Sequence, residues 1–182
     1  MTRALLLPAL LLVSLLAACT TGKPDNITPV DNIDANRYLG KWYEIARLDH
    51  SFERGLSDVT AEYSMRDDGA IKVINRGYND VTMKWKDAEG KAKFVGEPNV
   101  GYLKVSFFGP FYGSYVVFDL DRENYSYSMV SGADKSYLWI LSRTPTMDEA
   151  TKKRLVDKAQ ALGFDTSKLI WVSQDRNKAA AS

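Results

Sequence analysis

Cysteine occurs once in this chain of 182 residues, and so does histidine. A single thiol excludes an internal disulfide framework, so a fold in an oxidising compartment has to rest on its core. One histidine and one cysteine also leave no cluster with metal-ligand spacing. An excess of either charge is lacking too. Lys and Arg number 24 against 23 Asp and Glu, for a formal net charge of +1. No dense basic run occurs, which argues against a nucleic-acid surface. Gly-x-Ser-x-Gly is absent, and with it the nucleophile elbow of many hydrolases. Past residue 18 no apolar run is long enough to span a bilayer as a helix. There is no internal repeat.

What is present begins at the amino end. Met1-Thr2-Arg3 carries one positive charge, and Ala4–Leu16 carries none. A short basic start, an apolar stretch and small residues before a cut site describe an export signal over residues 1–18. Leu16-Ala17-Ala18-Cys19 resembles the bacterial lipobox. The resemblance implies cleavage before Cys19 and acylation of its thiol and new amino group. Removal of residues 1–18 leaves 164 residues and a net charge of 0, enough for one domain with a sizeable core. One acyl chain holds a bilayer only marginally, so stable anchoring takes at least two. Thr20 follows the cysteine, rather than the Asp that resembles an inner-membrane retention signal, which favours the outer membrane of a Gram-negative bacterium, facing the periplasm. Residues 19–33 then comprise the acylated cysteine and a polar, proline-containing tether. Its fourteen residues after Cys19 reach at most about 46 Å.

From Tyr38 to about Val130 the apolar period is two. Trp42–Leu48, Val59–Met65 and Ile71–Tyr78 are predicted strands, with Arg66-Asp67-Asp68-Gly69 as a hairpin turn. Met83–Lys86 continues through Ala88–Val95, and Leu103–Phe108 follows. Phe108-Gly109-Pro110-Phe111-Tyr112-Gly113 reads as an aromatic loop. Tyr115–Leu120, Tyr125–Val130 and Tyr137–Ser142 complete eight strands at short, even spacing, the pattern of an antiparallel sandwich or barrel. The pattern then changes. Thr146 is a candidate N-cap, and Leu155, Ala159 and Leu162 recur at helical spacing before Gly163. A helix of about residues 146–162 is therefore expected outside the sheet. Leu169–Val172 is a short last strand, and residues 175–182 read as a flexible tail.

Gly40-Lys41-Trp42-Tyr43-Glu44-Ile45-Ala46 resembles the first lipocalin signature, Gly-x-Trp opening the first strand. Phe118-Asp119-Leu120-Asp121-Arg122-Glu123 falls where the second lies, though only Asp121 matches it. Leu138-Trp139-Ile140-Leu141-Ser142-Arg143 resembles the third, which ends on a basic residue. With the lipobox, the chain resembles the lipocalins that bacteria tether to the outer membrane. That resemblance implies an all-β fold over residues 34–174: an eight-stranded antiparallel up-and-down barrel with one C-terminal helix outside. It also implies that Trp42 plugs the closed end under Arg143, as structural closure rather than a binding site.

Eight strands leave room for one small ligand. With Trp42 inward, alternation places these side chains on inner faces: Glu44 and Ala46; Ala61, Tyr63 and Met65; Val73 and Asn75; Ala92 and Phe94; Leu103, Val105 and Phe107; Tyr115 and Val117; Ser126 and Ser128; Tyr137, Trp139 and Leu141. A register slip of one exchanges the faces. The expected ligand-binding set is Tyr63, Val73, Asn75, Phe94, Leu103, Val105, Tyr115, Val117, Ser128, Tyr137 and Trp139. Asn75, Tyr63 and Tyr115 are candidates for a polar head group, or for satisfying neighbours within the sheet. The loop Asp49–Leu56 frames the mouth, and Phe52, Phe108 and Phe111 guard it, touch lipid or pack on the rim.

A mainly aromatic and aliphatic lining suits an acyl chain with a polar head near the mouth. The expected function is a membrane-anchored binder, store or carrier of fatty acids or lysophospholipids in the cell envelope, with no cofactor and no metal. An envelope interaction module with a filled interior is the alternative. A lipid-modifying enzyme using His50, in a loop that reads as exposed, is disfavoured. A homodimer through the mouth or an outer strand is left open.

Overall fold

The computed structural model describes residues 21–181. The export signal and Cys19 lie outside the described residues. Eight antiparallel strands close into a barrel: β1 Gly40–Arg47, β2 Leu56–Met65, β3 Ile71–Asn79, β4 Lys84–Phe94, β5 Tyr102–Phe108, β6 Phe111–Leu120, β7 Tyr127–Ser131 and β8 Leu138–Ser142. Each pairs with the next, and β1 closes the circle by pairing with both β8 and β2. Closure satisfies the edge groups that an open sheet leaves unpaired. A short β9, Ile170–Trp171, pairs with Ala46 and Arg47 on β1. A short helix α1, Ala35–Tyr38, lies under one end, capped by the Asp34 side chain on the amides of Asn36 and Arg37.

Alternation divides the apolar residues into two cores. Inside the barrel, Trp42, Tyr63, Val73, Leu103, Val117, Val130 and Leu141 pack together. Outside, Ile45, Val116, Phe118, Met129, Leu138 and Ile140 meet Leu155 and Ala159 of α2, Glu149–Ala161. The helix thus covers an apolar stripe on the β1, β6, β7 and β8 wall. Its N-cap is Asp148, which accepts from the Thr151 amide, so it starts two residues later than an N-cap at Thr146 would place it.

Two terminal segments depart from expectation. The second half of the expected tether is packed on the barrel: Ile27, Val30 and Ile33 are buried. The Val30 amide donates to the Val117 carbonyl at 2.8 Å, and the Val30 carbonyl accepts from Gly101 at 2.7 Å. Glycine is required there, since a Cβ on residue 101 would lie 2.7 Å from the Val30 side chain. The expected flexible tail instead forms helix α3, Asp175–Ala181. Arg176 holds it, binding the wholly buried Asp58 at 2.7 Å and lying 3.6 Å from the Tyr78 ring centroid.

Candidate ligand-binding site

One end of the barrel is shut. The Arg143 guanidinium lies 3.8 Å from the centroid of the buried Trp42 ring. It donates to the carbonyls of Tyr125, Lys41 and Arg37 at 3.2, 2.9 and 2.6 Å. The Trp42 indole donates to the Tyr38 carbonyl at 2.9 Å. A cation over an aromatic face, with its donors taken by carbonyls, ties α1, β1 and the end of β8 into a base. Asp121 fixes the neighbouring turn through the Ser126 hydroxyl and the amides of Glu123, Asn124 and Ser126.

Above this base lies a layer of tyrosines. The Tyr38 and Tyr115 hydroxyls are 2.8 Å apart, Tyr63 and Tyr115 are 2.9 Å apart, and Tyr38 meets Ser128 at 3.0 Å. Burial pushes the Tyr38 phenol up to about 12, against hydrogen bonds from Ser128 and Tyr115 that oppose it. Tyr63 and Tyr115 are raised as well, by burial first and then by neighbouring phenols. All three are neutral at physiological pH, so the floor of the cup is polar but uncharged.

A deep chamber of about 110 Å³ rests on this floor. Its walls are Val59, Ala61, Ile71, Val73, Ala92, Leu103, Val105, Phe107 and Leu141, with Asn75, Thr60 and Glu44 as polar exceptions. It opens into an outer chamber of about 720 Å³ that shares Phe52, Glu53, Val59, Asn75, Val105, Phe107 and Trp139 with it. The outer volume falls within the range of pockets that hold small ligands, about 300–1,000 Å³. Asn75 borders both chambers and has no side-chain hydrogen bond to another described residue.

At the junction of the chambers stands a buried polar cluster. Arg47 donates to Glu44 Oε1 at 2.7 Å and to the Glu53 carbonyl at 2.9 Å. His50 Nε2 and Glu53 Oε2 are 2.5 Å apart, and the Trp139 indole donates to the same oxygen at 3.1 Å. The His50 ring stacks on Phe52 and Tyr137 and tilts against Trp139. Burial lifts the Glu44 carboxyl well above the usual carboxylate range, and the charge of Glu53 adds to this; Arg47 opposes both.

Of the expected ligand-binding set, Tyr63, Val73, Asn75, Leu103, Val105, Tyr115 and Trp139 border the deep chamber, and Tyr137 borders the outer one. Phe94, Val117 and Ser128 border neither. Phe94 and Val117 are packed in the inner core, and Ser128 is spent on Tyr38. Tyr63 and Tyr115 bond each other at the floor, far from a head group at the mouth. A bulge between Glu44 and Ala46 turns Ala46 into the outer core and brings Arg47 into the polar cluster, which simple alternation does not anticipate. Met65 lies exposed at the closed end. His50 is buried rather than exposed. Thr60 is a lining residue that alternation missed, because a bulge between Ser57 and Thr60 shifts the parity of β2; Glu53 lines the chamber from the β1–β2 loop, and Ile71 in parity with Val73 and Asn75.

The lipocalin-like domain family matches residues 33–174. The outer membrane lipoprotein Blc of Vibrio cholerae serotype O1 is 59% identical over 165 residues, covering 91% of this chain and 96% of that one. The protein of the same name from Escherichia coli strain K12 is 56% identical, covering 88% and 90%. Temperature-induced lipocalin-1 of Arabidopsis thaliana is 36% identical over 149 residues, covering 77% and 78%. Among solved structures, insecticyanin from the tobacco hornworm Manduca sexta superposes with a TM-score of 0.66 at 24% identity, covering 83% and 85%. The cockroach allergen Per a 4 superposes at 0.65 and 19%, covering 85% and 96%. These two share the fold.

Proposed function

The chain belongs to the lipocalin family, and from that premise we propose that it is a lipid-anchored cup of the bacterial outer membrane. It takes the acyl chain of a fatty acid or lysophospholipid, to carry or store it within the envelope. The observation that carries this reading is the pair of adjoining, mainly apolar chambers that share a wall between the mouth and the tyrosine floor. Transfer of a hydrocarbon tail into it removes apolar surface from water at roughly 25 cal/mol per Å². The anchor reading is supported by Cys19 in its lipobox-like setting and by the bacterial relatives, which are named outer membrane lipoproteins. Thr20 after the cysteine favours the periplasmic side.

Binding is assigned rather than catalysis. His50 Nε2 is taken by Glu53, and among the described residues no hydroxyl bonds its Nδ1. The interaction-module alternative needs a filled barrel, and the two chambers weigh against that.

Delipidated protein titrated with palmitate, with a lysophospholipid and with haem, and read by native mass spectrometry, tests the reading. One lipid per chain with saturation is expected. Saturable haem uptake without uptake of either lipid would overturn it.

A further inference from the structure

We propose that the open end of the barrel docks on the phospholipid bilayer that holds the acylated Cys19, with the tips of its β3–β4 and β5–β6 loops seated among the head groups. This rests on the acylation assigned above and goes beyond it, because an anchor alone leaves the barrel free to present any face.

In an up-and-down barrel the β1–β2, β3–β4 and β5–β6 connections share one end. Here they carry Phe52, Val81, Met83, Phe108 and Phe111, all exposed, with Val81 at 86% and Phe108 at 81%. Monomeric proteins seldom gather large apolar side chains at adjoining tips without a partner. The opposite end is unlike it: the turns at 66–69 and 121–124 are rich in Asp, Glu and Arg. Exposed Lys84 and Lys86 stand next to Met83, suited to anionic head groups.

The path of the amino-terminal segment selects the bilayer over other partners. Ile33 is bonded to Asn99 at the closed end, Val30 to Gly101 and Val117 farther up. Gly22 accepts from Ser114 on the outer face of β6. The chain therefore climbs the β5–β6 wall toward the mouth. Cys19 lies three residues before Gly22, and Phe111, at the hairpin tip, lies three residues before Ser114. Three residues span at most about 10 Å. The acyl groups can thus enter a bilayer level with the hairpin tip. The closed end, beyond Leu120, is six strand residues from Ser114, about 20 Å the other way. A bilayer at the rim also lies against the outer chamber, whose lining includes Phe108 and Phe111, so a lipid tail passes into the cup without crossing water.

The test uses the full acylated chain in vesicles of phosphatidylethanolamine and phosphatidylglycerol. Because Cys19 is the sole cysteine and is blocked by acylation, Phe108→Cys, Val81→Cys and, at the closed end, Asp67→Cys each take one environment-sensitive fluorophore. Doxyl-labelled lipid is expected to quench the labels at 108 and 81 at least threefold more than the label at 67. Equal quenching at all three sites, or stronger quenching at 67, overturns the proposal. Self-quenching at 108 that rises with protein density, without lipid quenching, assigns the rim to a second copy of the chain and also overturns it. Val81→Cys alone decides if Phe108→Cys does not fold. The mass of the vesicle-bound chain reports acylation separately: an unmodified Cys19 removes the anchored reading itself, whatever the labels show.

Discussion

Glu44 is a carboxyl held inside an apolar barrel, with Arg47 at 2.7 Å as its compensating charge. Removing both groups from water costs more than their attraction returns unless further hydrogen bonds are made; Arg47 makes two, to the Glu53 and Leu56 carbonyls, and its Nε has none among the described residues. Burial and the nearby Glu53 therefore raise Glu44 above its ordinary value of 4.5. The folded chain keeps a proton there at pH values where the unfolded chain has released it. Folded chains then bind more protons than unfolded ones, so this residue makes stability fall as pH rises above about 4.5. Glu44→Gln keeps an acceptor for Arg47 and abolishes the titration. Urea midpoints of the wild type and the variant, measured from pH 5 to pH 8, are expected to diverge, with the variant gaining relative stability toward higher pH. Parallel curves would count against this account. Such a site is poorly legible from alternation. The set of residues that a period of two places inward includes Glu44 but not Arg47, because the intervening bulge is a property of the β1–β8 ladder and leaves no local mark.

At the level of elements, the strands are legible because each alternates against a barrel interior, and the turn 66–69 carries its own chemistry, with Gly69 at φ +75°. The two terminal segments are not legible, for the same physical reason: each is held by distant partners. Ile27, Val30 and Ile33 read as sparse apolar residues in a polar stretch; Val30 and Ile33 are held by Gly101, Val117 and Asn99, and Ile27 joins the outer core with Leu155 and Phe164. Residues 175–181 lack an apolar face, and what docks them is charge. Asp58 is wholly buried and receives both the side chain and the amide of Arg176, while Gln174 bridges the carbonyls of Glu44 and Val59 at 2.7 and 2.9 Å. Arg176→Ala strands that carboxylate. Because the Arg176 side chain is itself about half in solvent, we expect a loss of about 1–3 kcal/mol in denaturant unfolding. Asp58→Asn combined with Arg176→Ala should recover part of it. A double variant as unstable as the sum of the two singles would show that the pair is not coupled.

For the molecule as a whole, the barrel is a gradient from a closed base to an open rim, and the acyl-chain reading makes that gradient measurable. The base is closed by packed side chains: Trp42 under Arg143, with the hydrogen-bonded layer of Tyr38, Tyr63 and Tyr115 beneath the deep chamber. The family blocks around Trp42 and Arg143 made this end legible before the structure, whereas cavity depth depends on how side chains of different size meet across the barrel and is written in no single strand. Each methylene buried in the cup contributes about 0.8 kcal/mol, or close to fourfold in affinity. Affinity should therefore climb with acyl length until the tail reaches the floor formed by Tyr38, Tyr63 and Tyr115, and then level off. Ala61 lines the deep chamber beside Trp42 of the base, and Ala61→Phe shortens the cup from below. Overpacking costs about 1–3 kcal/mol of stability, which a melting curve monitors separately. In a series of saturated fatty acids the plateau of the variant is expected at a shorter chain, with affinities for the shortest members close to wild type. If the variant instead weakens every chain length by the same factor, the tail does not descend to the tyrosines and the ligand lies wholly in the outer chamber.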